Sequence, residues 1–170
     1  TQECLHISSR ERKVTPEAWI TQTFGEEPVL VTTYKQTLTI WHFVKERWRH
    51  GEAIEEQFHT SDISEFAYES SRDQIASVQA DSNDIKLWSL ESQEILKSLK
   101  GHEKPINKLL FPGSGSLVSA SKDRTIRVWE LDAETMSSKT LKGHVDEVVS
   151  IDFIEEFLFS GGKDKEIRKW

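Results

Sequence analysis

Residues Gly101 to Trp129 read GHEKPINKLLFPGSGSLVSASKDRTIRVW, and the punctuation of this stretch decides the fold. Two apolar-rich runs of strand length, Ile106–Phe111 and Leu117–Ser121, are separated by Pro112-Gly113-Ser114-Gly115, a cluster of turn formers. A tight turn at Lys122-Asp123-Arg124 leads into Thr125–Glu130, where Ile126 and Val128 alternate with polar residues as a half-buried strand requires. Lys139–Lys142 predicts a fourth strand, running outward to a second Gly-His at 143–144.

The pattern recurs along the chain. Trp41, Trp88, Trp129 and Trp170 stand 47, 41 and 41 residues apart, and each ends a short β-rich run. His102 precedes Trp129 by 27 residues and His144 precedes Trp170 by 26, each histidine following a glycine. In the second unit Phe58-His59 takes that place, 29 residues before Trp88. Strands are expected at Ile63–Tyr68, Gln74–Gln79, Asp84–Leu90 and Glu94–Leu99 in unit two, and at Val148–Ile154, Phe157–Gly161 and Glu166–Trp170 in unit four. Unit one gives Trp19–Phe24, Val29–Tyr34 and Leu38–Phe43, with no Gly-His before them. The whole chain, 1–170, therefore divides into units of approximately 1–43, 44–90, 91–131 and 132–170.

A period near 41 with Gly-His early and tryptophan late resembles the WD-repeat family, in which each unit supplies four strands of a β-propeller. The resemblance implies an all-β chain of four repeats. Rings of such repeats hold about seven blades, so this chain is expected to be part of a larger ring, ahead of two copies closing one or a small four-bladed ring. Glu3–Ser8 can supply an outer strand to such a ring. The Trp-Asp pair of the family is absent, since His42, Ser89 and Glu130 follow the first three tryptophans.

His102, Ser121 and Asp123 invite a catalytic-triad reading. The resemblance implies instead that they form, with Trp129, a buried hydrogen-bonded tetrad that fixes strand register, so no catalytic residue is assigned. Unit four offers His144, Asp164 and Trp170, with Gly162 at the serine position. Unit two offers His59, Trp88 and Asp81, with Gln79 there; unit one retains Trp41 and Thr33.

Composition narrows the function. Net charge is −7 and the isoelectric point about 5.4, with the acidity concentrated in residues 51–100, which argues against a polyanionic ligand. A single cysteine, Cys4, allows no internal disulfide, and no apolar run reaches the ~18 residues of a membrane span. The spacing of His42, His50 and His59 matches no metal motif, and neither Pro112–Ser116 nor Gly161-Gly162-Lys163 completes a phosphate loop, so no metal or cofactor is expected. Lys45–His50, basic and aromatic, reads as a solvated loop. The expected role is a non-catalytic protein-interaction scaffold or substrate-recognition subunit of an intracellular complex, cytoplasmic or nuclear. An RNA-associated assembly subunit and a propeller enzyme are the alternatives. The family's docking face, carried over position by position, places Lys104, Lys122, Asp146 and Lys163, with Ser61 and Ala80, at a rim suited to an acidic or phosphorylated peptide.

Overall fold

The computed structural model describes residues 18–24, 27–34, 37–44, 47–54, 59–69, 71–92, 94–113, 115–132 and 137–170; in the stretches up to 54 it describes the backbone pairing alone. Every regular element among the described residues is a strand. The chain separates into two compact units, Thr1–Gln57 and Phe58–Trp170.

The first unit holds one antiparallel sheet in sequence order: β1 Ala18–Phe24, β2 Glu27–Tyr34, β3 Thr37–Val44 and β4 Arg47–Ile54. β4 corrects the expectation of a solvated loop at Lys45–His50, because Arg47–His50 pairs with β3, Trp48 opposite Phe43 and His50 opposite Trp41. Thr33 sits in β2 opposite Leu38. Cys4 and the strand expected at Glu3–Ser8 lie outside the described residues.

The second unit holds three sheets, again in sequence order. β5 Ile63–Glu69, β6 Gln74–Gln79, β7 Ile85–Ser89 and β8 Ile95–Leu99 form one. β9 Ile106–Gly113, β10 Ser116–Ser121, β11 Thr125–Glu130 and β12 Ser137–Lys142 form the next. β13 Val148–Ile154, β14 Phe157–Gly162 and β15 Ile167–Lys169 form the last.

Period-two alternation sorts each strand between two neighbouring sheets. Leu117 of β10 packs with Trp129, Leu109 and Leu131 against Val78, Ile85 and Leu87 of the preceding sheet. Val118 and Ala120, on the opposite face of the same strand, pack with Ile126 against Val148, Ile151 and Leu158 of the following sheet. The second strands β6 and β10 are accordingly buried almost throughout, whereas outer strand β12 is largely exposed. Polar ties run alongside: Asn107 Nδ2 donates to the Val148 carbonyl at 2.8 Å, and Lys108 pairs with Glu65 at 2.7 Å.

Register shifts fall between Ile63 and Glu65 in β5 and between Val148 and Ser150 in β13; the pairing of β10 with β9 shifts between Ala120 and Ser121. These bulges bend the start of each inner strand into the histidine-bearing loop. That loop is tied to the turn after the second strand by one recurring backbone bond: Ala80 N to Asp62 O, Lys122 N to Pro105 O and Lys163 N to Glu147 O, at 2.9, 3.0 and 2.9 Å.

Candidate functional site

The polar groups singled out in the sequence meet at this loop-to-turn junction. In the third sheet the Trp129 indole Nε1–H donates to Ser119 Oγ at 2.8 Å, and the same oxygen lies 2.7 Å from His102 Nε2. On the other side of the ring, His102 Nδ1 lies 2.7 Å from Asp123 Oδ2. A chain of donors running Trp129, Ser119, His102, Asp123 satisfies every polar atom in turn when the imidazole proton sits on Nδ1. Asp123 also accepts from Thr125 Oγ1 at 2.6 Å, Thr125 N at 2.9 Å and Glu103 N at 3.1 Å. Burial alone would lift its carboxyl, but the bonds from His102, Thr125 and Glu103 outweigh that and hold it well below the usual carboxylate range.

This geometry corrects the serine. Ser119 joins histidine to tryptophan; Ser121 instead donates to the carbonyls of Lys104 and Pro105 at 2.9 and 3.0 Å and accepts from Asp123 N at 3.0 Å. The cause is register. Trp129 stands opposite Leu117, so its indole reaches the diagonal neighbour on that face, Ser119, while Ser121 lies ~7 Å further along the strand.

The fourth sheet repeats the arrangement, with Trp170 Nε1 donating to Ser160 Oγ at 2.9 Å, His144 Nε2 at 2.8 Å from the same oxygen and His144 Nδ1 at 2.7 Å from Asp164. A serine is therefore present here, and Gly162 is not its replacement. Burial pushes the Asp164 carboxyl up, but the bonds from His144 and from the amides of Glu166 and Val145 bring it below its ordinary value.

In the second sheet His59 Nε2 lies 2.7 Å from Ser77 Oγ, and the His59 ring stacks obliquely on Trp88, 5.5 Å between centroids. Its other nitrogen meets Gln79 Oε1 at 3.1 Å rather than Asp81, which accepts instead from Ser61 Oγ and Gln79 Nε2. The turn from Gln79 to Ile85 is one residue longer than that from Ser121 to Ile126, which carries Asp81 away from the ring. Burial, reinforced by the charge of Lys86 and opposed by the Gln79 bond, lowers the His59 pKa below its ordinary 6.5.

The rim residues lie beside these junctions. Lys104, Lys122, Asp146 and Lys163 are all exposed, as is Ala80, while Ser61 is half-buried. Lys163 is not an open cation, since Glu147 pairs with it at 2.8 Å and raises its pKa. Among the described residues no three His, Cys, Asp or Glu side chains gather as a metal ion requires.

A groove of about 370 Å³, which the sequence did not signal, opens along the third sheet where its turn meets the next histidine loop. Its lining includes Arg124, Arg127, Lys142, Thr125, Glu103 and Gly143. Arg127 lies over the Trp129 ring, 5.7 Å from its centroid, and donates to Ser138 Oγ at 3.1 Å. Comparing aligned positions between repeats would have exposed the groove's character, because Thr125 stands where Asp84 and Glu166 stand in the flanking sheets.

Comparison with known proteins follows the same stretches. The family model described as WD domain, G-beta repeat matches residues 93–130 and 136–170. The chain is similar to the periodic tryptophan protein 2 homolog of Neurospora crassa, 40% identical over 85 residues, 49% of this chain and 9% of that protein. It is also similar to the nuclear distribution protein nudF of Aspergillus niger, at 34% identity over 51% of this chain and 21% of that one. The human WD repeat and SOCS box-containing protein 1 matches at 37% identity, again over 51% and 21%. The aligned stretch thus spans between 9% and 21% of these relatives' length. The crystal structure of the computationally designed Ika4 protein shares the fold, with a TM-score of 0.71 at 21% identity, covering 99% of this chain and 98% of that one. Residues 93–130 and 136–170 are WD repeats, and the antiparallel sheets of the described residues are those of a partial β-propeller.

Proposed function

We propose that this chain is a non-catalytic protein-interaction scaffold, a recognition subunit of an intracellular complex. The observation that carries the reading is the division of labour at the loop-to-turn junctions. His102, Ser119 and Asp123 spend their hydrogen-bonding capacity on one another and on Trp129, Thr125 and Glu103, leaving no nucleophile or base directed at a ligand. The side chains exposed beside them, Lys104, Lys122 and Asp146, are suited to contact rather than chemistry. Relatives whose names place them in a nuclear-distribution role, with a SOCS box or as a CCR4-associated factor support the same reading.

Lys104 and Lys122 are the rim cations proposed to receive an acidic or phosphorylated segment of a partner; Lys163, balanced by Glu147, contributes less. The test is native co-purification with the chain as bait, comparing wild type with the Lys104→Glu/Lys122→Glu double variant. The expected result is a stoichiometric protein partner held by the wild type and weakened about tenfold or more in the variant, with an unchanged thermal midpoint. Equal retention by both would remove the rim from the reading. Steeply salt-dependent RNA retention with no protein partner would overturn the scaffold itself.

A further inference from the structure

We propose that the uncovered apolar face of β13–β15 is closed by the β1–β4 sheet of a second copy of this chain, so that two chains join head to tail. The inference stands apart from the scaffold reading.

An isoleucine lies three residues before the tryptophan in three successive repeats, as Ile85, Ile126 and Ile167. Ile85 and Ile126 are fully buried, whereas Ile167 is 82% exposed. Backbone register makes the last two equivalent, since Ile126 pairs with Ala120 and Ile167 with Gly161 at the same place in β14. Pairing also defines the rest of this face. Phe157 and Phe159 alternate with Gly161 along β14, and Ile154 stands opposite Phe157, so all share one side of the sheet with Ile167. Ile154 is 56% and Phe157 39% exposed. A contiguous apolar patch of this kind on a folded chain marks a contact surface.

The two interfaces within Phe58–Trp170 identify what such a face packs against. Ile85, with Val78 and Leu87, meets Leu117 and Trp129 of the next sheet. Ile126, with Val118 and Ala120, meets Leu158 and Trp170 of the sheet after that. In both, a face bearing the isoleucine receives a face bearing the tryptophan. In both, that tryptophan is paired across the strands with a leucine: Trp129 stands opposite Leu117, and Trp170 N donates to the Leu158 carbonyl. The register of β1–β4 gives that sheet a face of the same kind, because Leu30 stands opposite Trp41. Among the described residues no sheet precedes β1–β4 in the chain. Ile167 stays exposed in the single chain, so the complementary face comes from a second copy.

The faces are unlike, which makes the contact heterologous; two copies satisfy it when each gives one face and receives the other. Stacking two β13–β15 sheets on each other would set isoleucine face on isoleucine face, a combination that neither internal interface uses.

The test measures the mass of the 170-residue chain by light scattering on a size-exclusion column. The expected value is twice the 19.6 kDa of one chain, falling toward a single chain on dilution. Ile167→Asp should raise the dissociation constant about tenfold or more, because it forces a charge into an apolar contact. Ile154→Asp, at a second place on the face, should act in the same direction. Ser98→Asp, exposed on β8, should leave the mass unchanged. Circular dichroism reports that each variant is folded. Ile167→Cys in a Cys4→Ser background should form no disulfide with itself on oxidation, since head-to-tail packing keeps the two copies of position 167 apart. A monomer at every concentration, a dimer insensitive to both aspartate substitutions in folded chains, or a ladder of larger polymers would overturn the proposal. So would a cross-link between the two copies of position 167.

Discussion

Ser119 Oγ is held between two buried groups, the Trp129 indole and the His102 ring, so truncation orphans both. Ser119→Ala should lower unfolding free energy by about 2–3 kcal/mol, whereas Ser121→Ala, whose hydroxyl meets only backbone groups (the Lys104 and Pro105 carbonyls and the Asp123 amide), should cost about 1 kcal/mol. Urea denaturation of the pair measures this directly, and equal losses would return the serine role to residue 121. The distinction was beyond the sequence because both serines share one strand face and Ser121 is nearer Asp123 in the chain; only the pairing of Trp129 with Leu117 selects between them. Asp81 was misassigned for a related reason, since a one-residue longer turn moves a carboxylate without altering the motif. His59 carries a pH signature. Its pKa is lowered on folding, so its contribution to stability is fully present above about pH 6.5 and is lost as pH falls toward the folded value. The thermal midpoint should drop between about pH 7.5 and about pH 5.5, and less so in His59→Asn. An identical slope in the variant would assign the titration elsewhere.

Elements show why some strands were legible and others were not. β9 and β10 lie between two cores, so their apolar residues run together as Leu109–Phe111 and Leu117-Val118, while β11 alternates Ile126 and Val128 with polar residues, and all three announce themselves. β4 was missed because Arg47-Trp48-Arg49-His50-Gly51-Glu52 is charged and interrupted by glycine, and an outer strand need bury little. β12 is largely exposed and was read only from the Gly-His that follows it. The glycine of that Gly-His is itself an element-level constraint. A Cβ at Gly143 would stand 2.9 Å from both Arg168 Nη1 and Trp170 Cη2, and the indole is fixed by its bond to Ser160. Gly143→Ala should therefore destabilise by about 1–3 kcal/mol through overpacking, read as a fall in denaturation midpoint. Gly113→Ala, where a Cβ meets nothing within 4 Å, is the neutral control.

Across the molecule, the third sheet carries the cores it shares with both of its neighbours in the second unit. Leu117 and Ile126 are each fully buried, in different clusters. Leu117→Ala should cost about 2–5 kcal/mol and raise hydrogen exchange chiefly in β5–β8 and β9–β12, while Ile126→Ala should cost similarly and loosen β9–β12 and β13–β15. Uniform exchange across all three sheets in both variants would show a single cooperative block instead. The family's large-scale logic was readable from four tryptophans because it rests on period; the groove was not, because it depends on an acid that one repeat omits. One last consequence follows from the way each hydrogen-bonded tetrad closes entirely within its own sheet. A segment that carries its own lock, and packs one apolar face on the sheet before it and another on the sheet after it, can be copied whole: duplicating the stretch from His102 to Gly143 would hand the new copy a ready-made neighbour on either side. Such a chain lengthens by tandem duplication without redesigning its interior, and Thr125 is what a copy looks like once it is free to diverge.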